Sequence, residues 1–516
     1  MYKDNFLAHR LRRNSIDRNE SCFAEINGKH QVTYKELFSQ AEKIAIVLLD
    51  NGLQPGDRVA VQVEKTIEAV ELYLAVVLAG GVFLPLNTAY TSREVDYFLT
   101  DAQPSIFVCS PDKHDALVPV ATSAGVRSLF TLDGFGNGSL TDSAQATLGE
   151  FVAVPRDADD LASILYTSGT TGRSKGAMLS HGNLATNATV LSDYWHFTQE
   201  DVLIHALPIF HIHGLYVAIN VTLVAGSSML FHNRFDAAAI LQDMKRASVL
   251  MGVPTFYVRL LSMIELNVDS VANMRLFVSG SAPLLTETHR EWHERTGHSI
   301  LERYGMTETN MNASNPYIDE RREGTVGLPL PGVDIVIADP ATGRVLPVGE
   351  TGSIEIKGPN VFQGYWNMPD KTAEEFRDNG FFITGDLGCY DTNGYLSIVG
   401  RSKDMIISGG YNVYPKEIEL LIDDLDEVEE SAVIGLPHPD FGEAVAAVVV
   451  VKAKQLLDPE ILTRKLGDSL ARFKQPKAVF VVKELPRNTM GKVQKNHLRE
   501  QYQDVFMAEA KMSKQS

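Results

Sequence analysis

Short apolar runs alternate with longer segments whose apolar positions recur every three or four residues, and this pattern persists along most of the chain. The run 58–63 predicts a strand, 67–79 a helix and 105–109 another short strand. Alternation of this kind sets parallel strands side by side with helices as crossovers, an α/β architecture. The most apolar stretch, 69–86, is interrupted by Glu71 and Gly80-Gly81 and is too short to span a bilayer. It reads as a core helix stopped by the glycine pair. A strand over 161–166 runs directly into a loop of Gly, Ser and Thr.

The pattern changes near residue 400, where Gly400-Arg401-Ser402-Lys403-Asp404 is charged and glycine-punctuated. Beyond it, helices over 415–425 and 458–471 and strands over 431–435, 444–451 and 478–482 predict a compact α+β unit. The expected organisation is a large N-terminal domain of packed α/β subdomains (1–400), a hinge (401–404) and a small mobile α+β C-terminal domain (405–516).

A chain of 516 residues, 44% hydrophobic, can bury more than one core. The formal net charge of -18 lacks the basic footprint of a nucleic-acid or anionic-membrane binder, so neither partner is expected. Anionic ligands would have to be met by single Arg and Lys residues placed inside motifs. Cys22, Cys109 and Cys389 are widely spaced, which implies neither a disulfide framework nor a zinc site and fits a reducing compartment. No secretory leader is visible and a cytoplasmic location is expected.

The most informative run is Tyr166-Thr167-Ser168-Gly169-Thr170-Thr171-Gly172-Arg173-Ser174-Lys175-Gly176. Its glycines let backbone approach an anion closely, its hydroxyls and N–H groups can bond phosphate oxygens, and Lys175 supplies charge. It follows a predicted strand, where α/β folds bind phosphates. The spacing is not that of the Walker A loop.

This run resembles the signature of the adenylate-forming superfamily of acyl-CoA synthetases, adenylation domains and luciferases. The resemblance covers nearly the whole chain, because four further motifs follow in the family's order. They are Tyr304-Gly305-Met306-Thr307-Glu308-Thr309, Thr384-Gly385-Asp386-Leu387, Gly400-Arg401-Ser402-Lys403-Asp404 and Pro486-Arg487-Asn488-Thr489-Met490-Gly491-Lys492. Singly, a Thr-Glu pair is an ordinary helix cap and a Gly-Asp an ordinary turn; the ordered set is what carries the reading.

The resemblance implies the following roles. ATP is held by Thr167, Ser168, Gly169, Thr170, Thr171, Gly172 and Lys175, by the loop Gly280-Ser281-Ala282, by the Tyr304 ring, and by Asp386 and Arg401 at the ribose. Glu308, beside Thr307, holds Mg2+. Lys492 stabilises the charge that develops on the α-phosphate. A rotation about Lys403 then brings the segment Ser408-Gly409-Gly410-Tyr411 to face the thiol of coenzyme A. Because Lys492 must be cationic, a lysine acyltransferase and a deacylase acting on it are implied partners.

The acid follows from electrostatics. A dicarboxylate brings a second anion into the acyl pocket, and arginine meets a carboxylate bidentately. Arg303, just before Tyr304, and Arg259, after Gly252-Val253-Pro254, lie beside segments that line the family's acyl pocket. With Ser281 they resemble the malonyl-CoA synthetases, implying malonate as substrate and methylmalonate as a secondary one, and His211, in another family motif near the acyl pocket, is expected to donate to the distal carboxylate. The alternatives are a synthetase for another small or aromatic acid, and an adenylation enzyme that loads a carrier protein.

Overall fold

The computed structural model describes residues 2–167, 174–408, 411–439, 441–453, 455, 457–467, 470–488 and 491–506. Two sheets form the bulk of the N-terminal part. In the first, strands Ser128–Thr131, Ile106–Cys109, Arg58–Gln62, Val82–Pro85 and Leu161–Thr167 run parallel, and Lys175–Ser180 closes the edge antiparallel. The second has nine strands; its parallel centre contains Ser228–Phe231, Val202–His205, Val249–Gly252, Leu276–Ser279 and Leu301–Met306. These centre strands are apolar along their length, as expected of strands covered on both faces.

The apolar stretch read as a core helix is Ile67–Leu78. Thr66 caps its start by accepting from the Ala69 N–H. It ends where Gly80 takes φ +72°, and a side chain there would lie 2.8 Å from Val154 Cγ1, so both backbone and space require glycine. Glu71 is 6% exposed within this helix, and burial drives its carboxyl well above the ordinary range.

Between 334 and 401 the α/β pattern gives way to a four-stranded antiparallel sheet, Asp334–Ala338, Gly352–Lys357, Phe382–Tyr390 and Leu396–Arg401. Alternation was expected to run further than it does; hairpins need no crossover helices. The C-terminal unit is a separate five-stranded sheet with two cores of its own. Its central hairpin, Val428–His438 with Gly442–Val451, is longer than the spans predicted at 431–435 and 444–451. Among the described residues no helix is long and apolar enough to cross a membrane.

Candidate active site

The site gathers at the C-terminal ends of the second sheet's parallel strands, where open α/β sheets bind ligands. Asp386, 4% exposed on Phe382–Tyr390, accepts from the Tyr304 hydroxyl at 2.6 Å and pairs with Arg401 Nε at 2.7 Å. Arg401 comes from the next strand in register, opposite Asp386. Asp386 raises the Arg401 guanidinium above its ordinary value. The contact also anchors Tyr304 by its hydroxyl, fixing the plane of its ring.

The flanks of the phosphate loop are Thr167 and Lys175, brought together by the antiparallel pairing of Leu161–Thr167 with Lys175–Ser180. Ser168, Gly169, Thr170, Thr171 and Gly172 lie outside the described residues. Lys175 Nζ bonds Glu375 Oε1 at 2.9 Å and lies 4.0 Å from the centre of the Tyr365 ring. The Tyr365 hydroxyl is 2.6 Å from Glu375 Oε2 and 3.1 Å from Glu308 Oε1. One hydroxyl has one proton to give, and the shorter contact takes it. Glu308 is a buried carboxylate that shares the Tyr365 hydroxyl with Glu375 and has a backbone N–H as its other donor, and burial raises its pKa. Such a group fits a hard divalent cation that completes its shell with phosphate oxygens, the usual arrangement for Mg2+. Thr307 beside it is half-buried.

The third wall carries a positive charge. Arg303 is 3% exposed on Leu301–Met306, and its Nε and Nη2 have no hydrogen-bond partner among the described residues. These two N–H groups form one edge of the guanidinium, the edge that grips a carboxylate side-on. Burial pulls the group down to about 9. Nearby, His213 Nδ1 meets Ser281 Oγ at 3.3 Å, while His213 Nε2 and His211 Nε2 are buried and unpartnered among the described residues. Burial lowers both imidazoles, His211 to about 4, so both are neutral near pH 7. Ser281 holds φ +72°, a strained conformation for a residue with a side chain. Four buried polar atoms without partners on neighbouring segments make a pocket suited to an anion.

Lys492 closes the site from the C-terminal unit. A tight turn presents it: the Lys492 N–H donates to Asn488 Oδ1 at 3.0 Å and the Gly491 N–H to the Asn488 carbonyl at 2.9 Å. Thr489 and Met490 of this motif lie outside the described residues. Gly491, at φ +75°, packs against Thr255 of the N-terminal part. Lys492 as a whole residue is exposed, while its ammonium is crowded by the cleft. Loss of water in the cleft, then the charges of Arg401 and Lys403, lower it to about 8.

A family model described as AMP-binding enzyme matches residues 9–366, and one described as AMP-binding enzyme C-terminal domain matches 417–492. The chain belongs to the AMP-binding enzyme family. ATP-bound MatB from Rhodopseudomonas palustris is 58% identical, superposes with a TM-score of 0.95, and the match covers 98% of this chain and 99% of that one. A malonate–CoA ligase of Arabidopsis thaliana is 33% identical over 480 residues, covering 87% of this chain and 78% of that protein. A long-chain-fatty-acid–CoA ligase of Bacillus subtilis is 32% identical over 507 residues, covering 91% and 90%.

One expected member of this AMP-binding enzyme's acid site is elsewhere. Arg259 lies on the exposed face of the helix Pro254–Leu261, its guanidinium 5.8 Å from the centre of the Phe235 ring. Tyr257 and Leu260 of that helix point inward instead. At 3.6 residues per turn, Arg259 falls on the opposite side. Among the described residues, then, Arg303 and not Arg259 presents a buried, unpartnered guanidinium edge beside His211 and His213. The sequence reading also passed over Glu375 and Tyr365, which join Lys175 to Glu308; nothing in their local pattern marks them, because they come from an irregular segment far along the chain.

Gly280 has a role beyond backbone approach to nucleotide. A Cβ there would sit 2.3 Å from Arg303 Cζ. Gly280→Ala is expected to displace the guanidinium and raise the KM for the acid by roughly 10²-fold, as a misplacement of about 1 Å does, a larger change than that in the KM for ATP. Steady-state kinetics with each substrate varied in turn checks this.

The Lys492 environment predicts a pH profile. The role expected of Lys492 requires the cation, which is present below its pKa and lost as pH rises. The kcat/KM for ATP is expected to fall above about pH 8. The kcat limb lies higher, because bound phosphate favours the cation. A Lys492→Arg variant, charged throughout, is expected to lose the alkaline limb. A profile for the unmodified enzyme that stays flat well above pH 8 contradicts the assignment.

Proposed function

We propose that this chain ligates malonate to coenzyme A with cleavage of ATP to AMP and pyrophosphate, through malonyl-adenylate, with methylmalonate as a secondary substrate. The observation that carries the reading is the buried Arg303 edge, unpartnered among the described residues and flanked by the unpartnered His211 and His213 nitrogens. A monocarboxylic acid would leave that edge desolvated with nothing to bond. The names of the Arabidopsis relative and of similar ligases support the same substrate.

In the first step one malonate carboxylate attacks the α-phosphorus, and the bond to the bridging oxygen of the β-phosphate breaks. Asp386 and Arg401 hold the ribose, Tyr304 and the loop Gly280-Ser281-Ala282 the adenine, and Lys175 with the loop 168–172 the leaving phosphates. Lys492 neutralises charge developing on the α-phosphate. Glu308, with Thr307 beside it, would hold Mg2+, which supplies charge neutralisation of the pyrophosphate. Arg303, His211 and Ser281 bind the distal carboxylate and so set which end reacts.

In the second step the CoA thiolate attacks the acyl carbon and AMP leaves. A cavity of about 260 Å³, walled by Phe83, Leu86, Ile209, Phe210, Phe235 and Phe256, runs beside His211 and suits the thiol arm. The domain limits at 400 and 405 and rotation about Lys403 complete this reading. The 3₁₀ turn Ser402–Asp404 separates the sheet holding Arg401 from the C-terminal unit, to which Asp404 is tied through Arg499 at 2.5 Å. Reversible acylation of the solvent-open Lys492 would remove the charge that the first step needs.

Product analysis tests the reaction. With malonate, ATP, Mg2+ and CoA, the expected products are AMP, pyrophosphate and a malonyl thioester. Formation of ADP and phosphate would overturn the adenylate route.

A further inference from the structure

A second buried cation stands behind the acid pocket. Lys65, just before the helix Ile67–Leu78, is 8% exposed. Its Nζ lies 2.7 Å from His205 Nδ1, 2.9 Å from the His205 carbonyl oxygen and 2.6 Å from the His232 carbonyl oxygen, and 4.4 Å from the centre of the Phe231 ring. No carboxylate pairs with it among the described residues. His205 Nε2 is in turn 2.8 Å from the Gly214 carbonyl oxygen.

Counting protons fixes the charge of this pair. The carbonyls of His205, His232 and Gly214 only accept, so each takes one N–H. The contact between Nζ and Nδ1 needs one more proton. A neutral amine and a neutral imidazole together hold one too few. The pair therefore carries one positive charge, whichever of the two nitrogens owns the shared proton. Burial lowers both groups from their ordinary values, and for His205 the Lys65 charge adds to this. That is the cost of a cation without a counter-ion.

The pair adjoins the acid site. Gly214 follows His213 directly, and the electrostatic surroundings of His213 include His205, His211 and Arg303. The loop between them is folded tightly, since a Cβ on Gly214 would lie 2.1 Å from the Pro208 carbonyl oxygen. Lys65 also lines the cavity beside Ile209 and Phe210.

We propose that Lys65, through its shared proton with His205, is a specificity-determining residue that favours a doubly charged acid by placing an uncompensated positive charge behind the His211–His213 loop. This rests on the dicarboxylate reading of the Arg303 pocket. Lys65 lines the cavity proposed for the thiol arm, but it bears on the choice of acid through the field it adds and the loop it holds.

The test compares Lys65→Met, Lys65→Gln and Lys65→Arg with the unmodified enzyme, measuring KM and kcat for malonate, butyrate, ATP and CoA. Expected is a fall of about tenfold or more in the malonate-to-butyrate ratio of kcat/KM for the neutral variants, carried by the malonate KM. The KM for ATP should stay near the unmodified value, any change in the KM for CoA should be the same with either acid, and Lys65→Arg should recover most of the ratio. Should Lys65→Met not fold, Lys65→Gln, which keeps amide donors, against Lys65→Arg makes the same comparison. Equal losses with malonate, butyrate and ATP would show a structural part only and overturn the proposal, as would an unchanged ratio in every variant. Absence of malonate preference in the unmodified enzyme would instead sink the Arg303 reading, and this proposal with it.

Discussion

Replacing Lys492 by alanine is expected to lower malonyl-adenylate formation by roughly 10²–10³-fold, the usual effect of removing one fixed donor to a developing oxyanion. Transfer of the acyl group from supplied malonyl-adenylate to CoA should change by no more than a few-fold. The asymmetry follows from position. In this structure Lys492 shares the surroundings of Arg401 and Asp386, on the nucleotide side of the site, and Gly491 packs on Thr255. The thioester step is proposed to follow rotation about Lys403, which carries Lys492 away. Pyrophosphate release reports the first step and single-turnover thioester formation the second. Equal losses in both would mean that Lys492 acts in one shared conformation or holds the fold.

Arg303→Met is expected to cost on the order of 3–5 kcal/mol with malonate, or roughly two to four decades in kcat/KM, because the substrate's second carboxylate would be buried without a partner. Methionine keeps much of the volume and adds no charge, so the ATP site should survive. Activity with a monocarboxylic acid should stay the same or rise, since the unpaired guanidinium edge no longer has to be left desolvated. A loss below about fivefold with malonate would remove Arg303 from substrate binding, being far smaller than the usual cost of breaking a buried charge pair. Kinetics on both acids, with thermal melting as a control for folding, decide it.

Much of the fold was readable because local signals were strong. The helix Ile67–Leu78 has a threonine cap, an apolar run interrupted only by Glu68 and Glu71, and a glycine stop. The strand Leu161–Thr167 and the unit beyond 404 declared themselves by period and punctuation. The antiparallel sheet from 334 to 401 was missed because antiparallel pairs need no crossover helix, and the short helix Pro369–Glu374 between two of its strands looks locally like one. Motif residues such as Asp386 and Arg401 do meet in space, across one strand pair. Arg303 and Arg259 looked alike in the sequence, each beside a motif. What separates them is helical phase and strand alternation: Arg303 points inward from a strand at the sheet centre, whereas Arg259 faces out from a helix. The link from Lys175 through Glu375 and Tyr365 to Glu308, and the pairing of Lys65 with His205, join segments distant in the chain. Such contacts leave no local trace.

The most direct measurement is the rate of pyrophosphate release with ATP, Mg2+ and CoA across malonate, methylmalonate, succinate, acetate, butyrate and benzoate. Malonate first and methylmalonate second, with the monocarboxylic acids poor, is the predicted order. A preference for butyrate or benzoate would keep the adenylate-forming chemistry but contradict the assignment of the buried Arg303 edge to a second carboxylate.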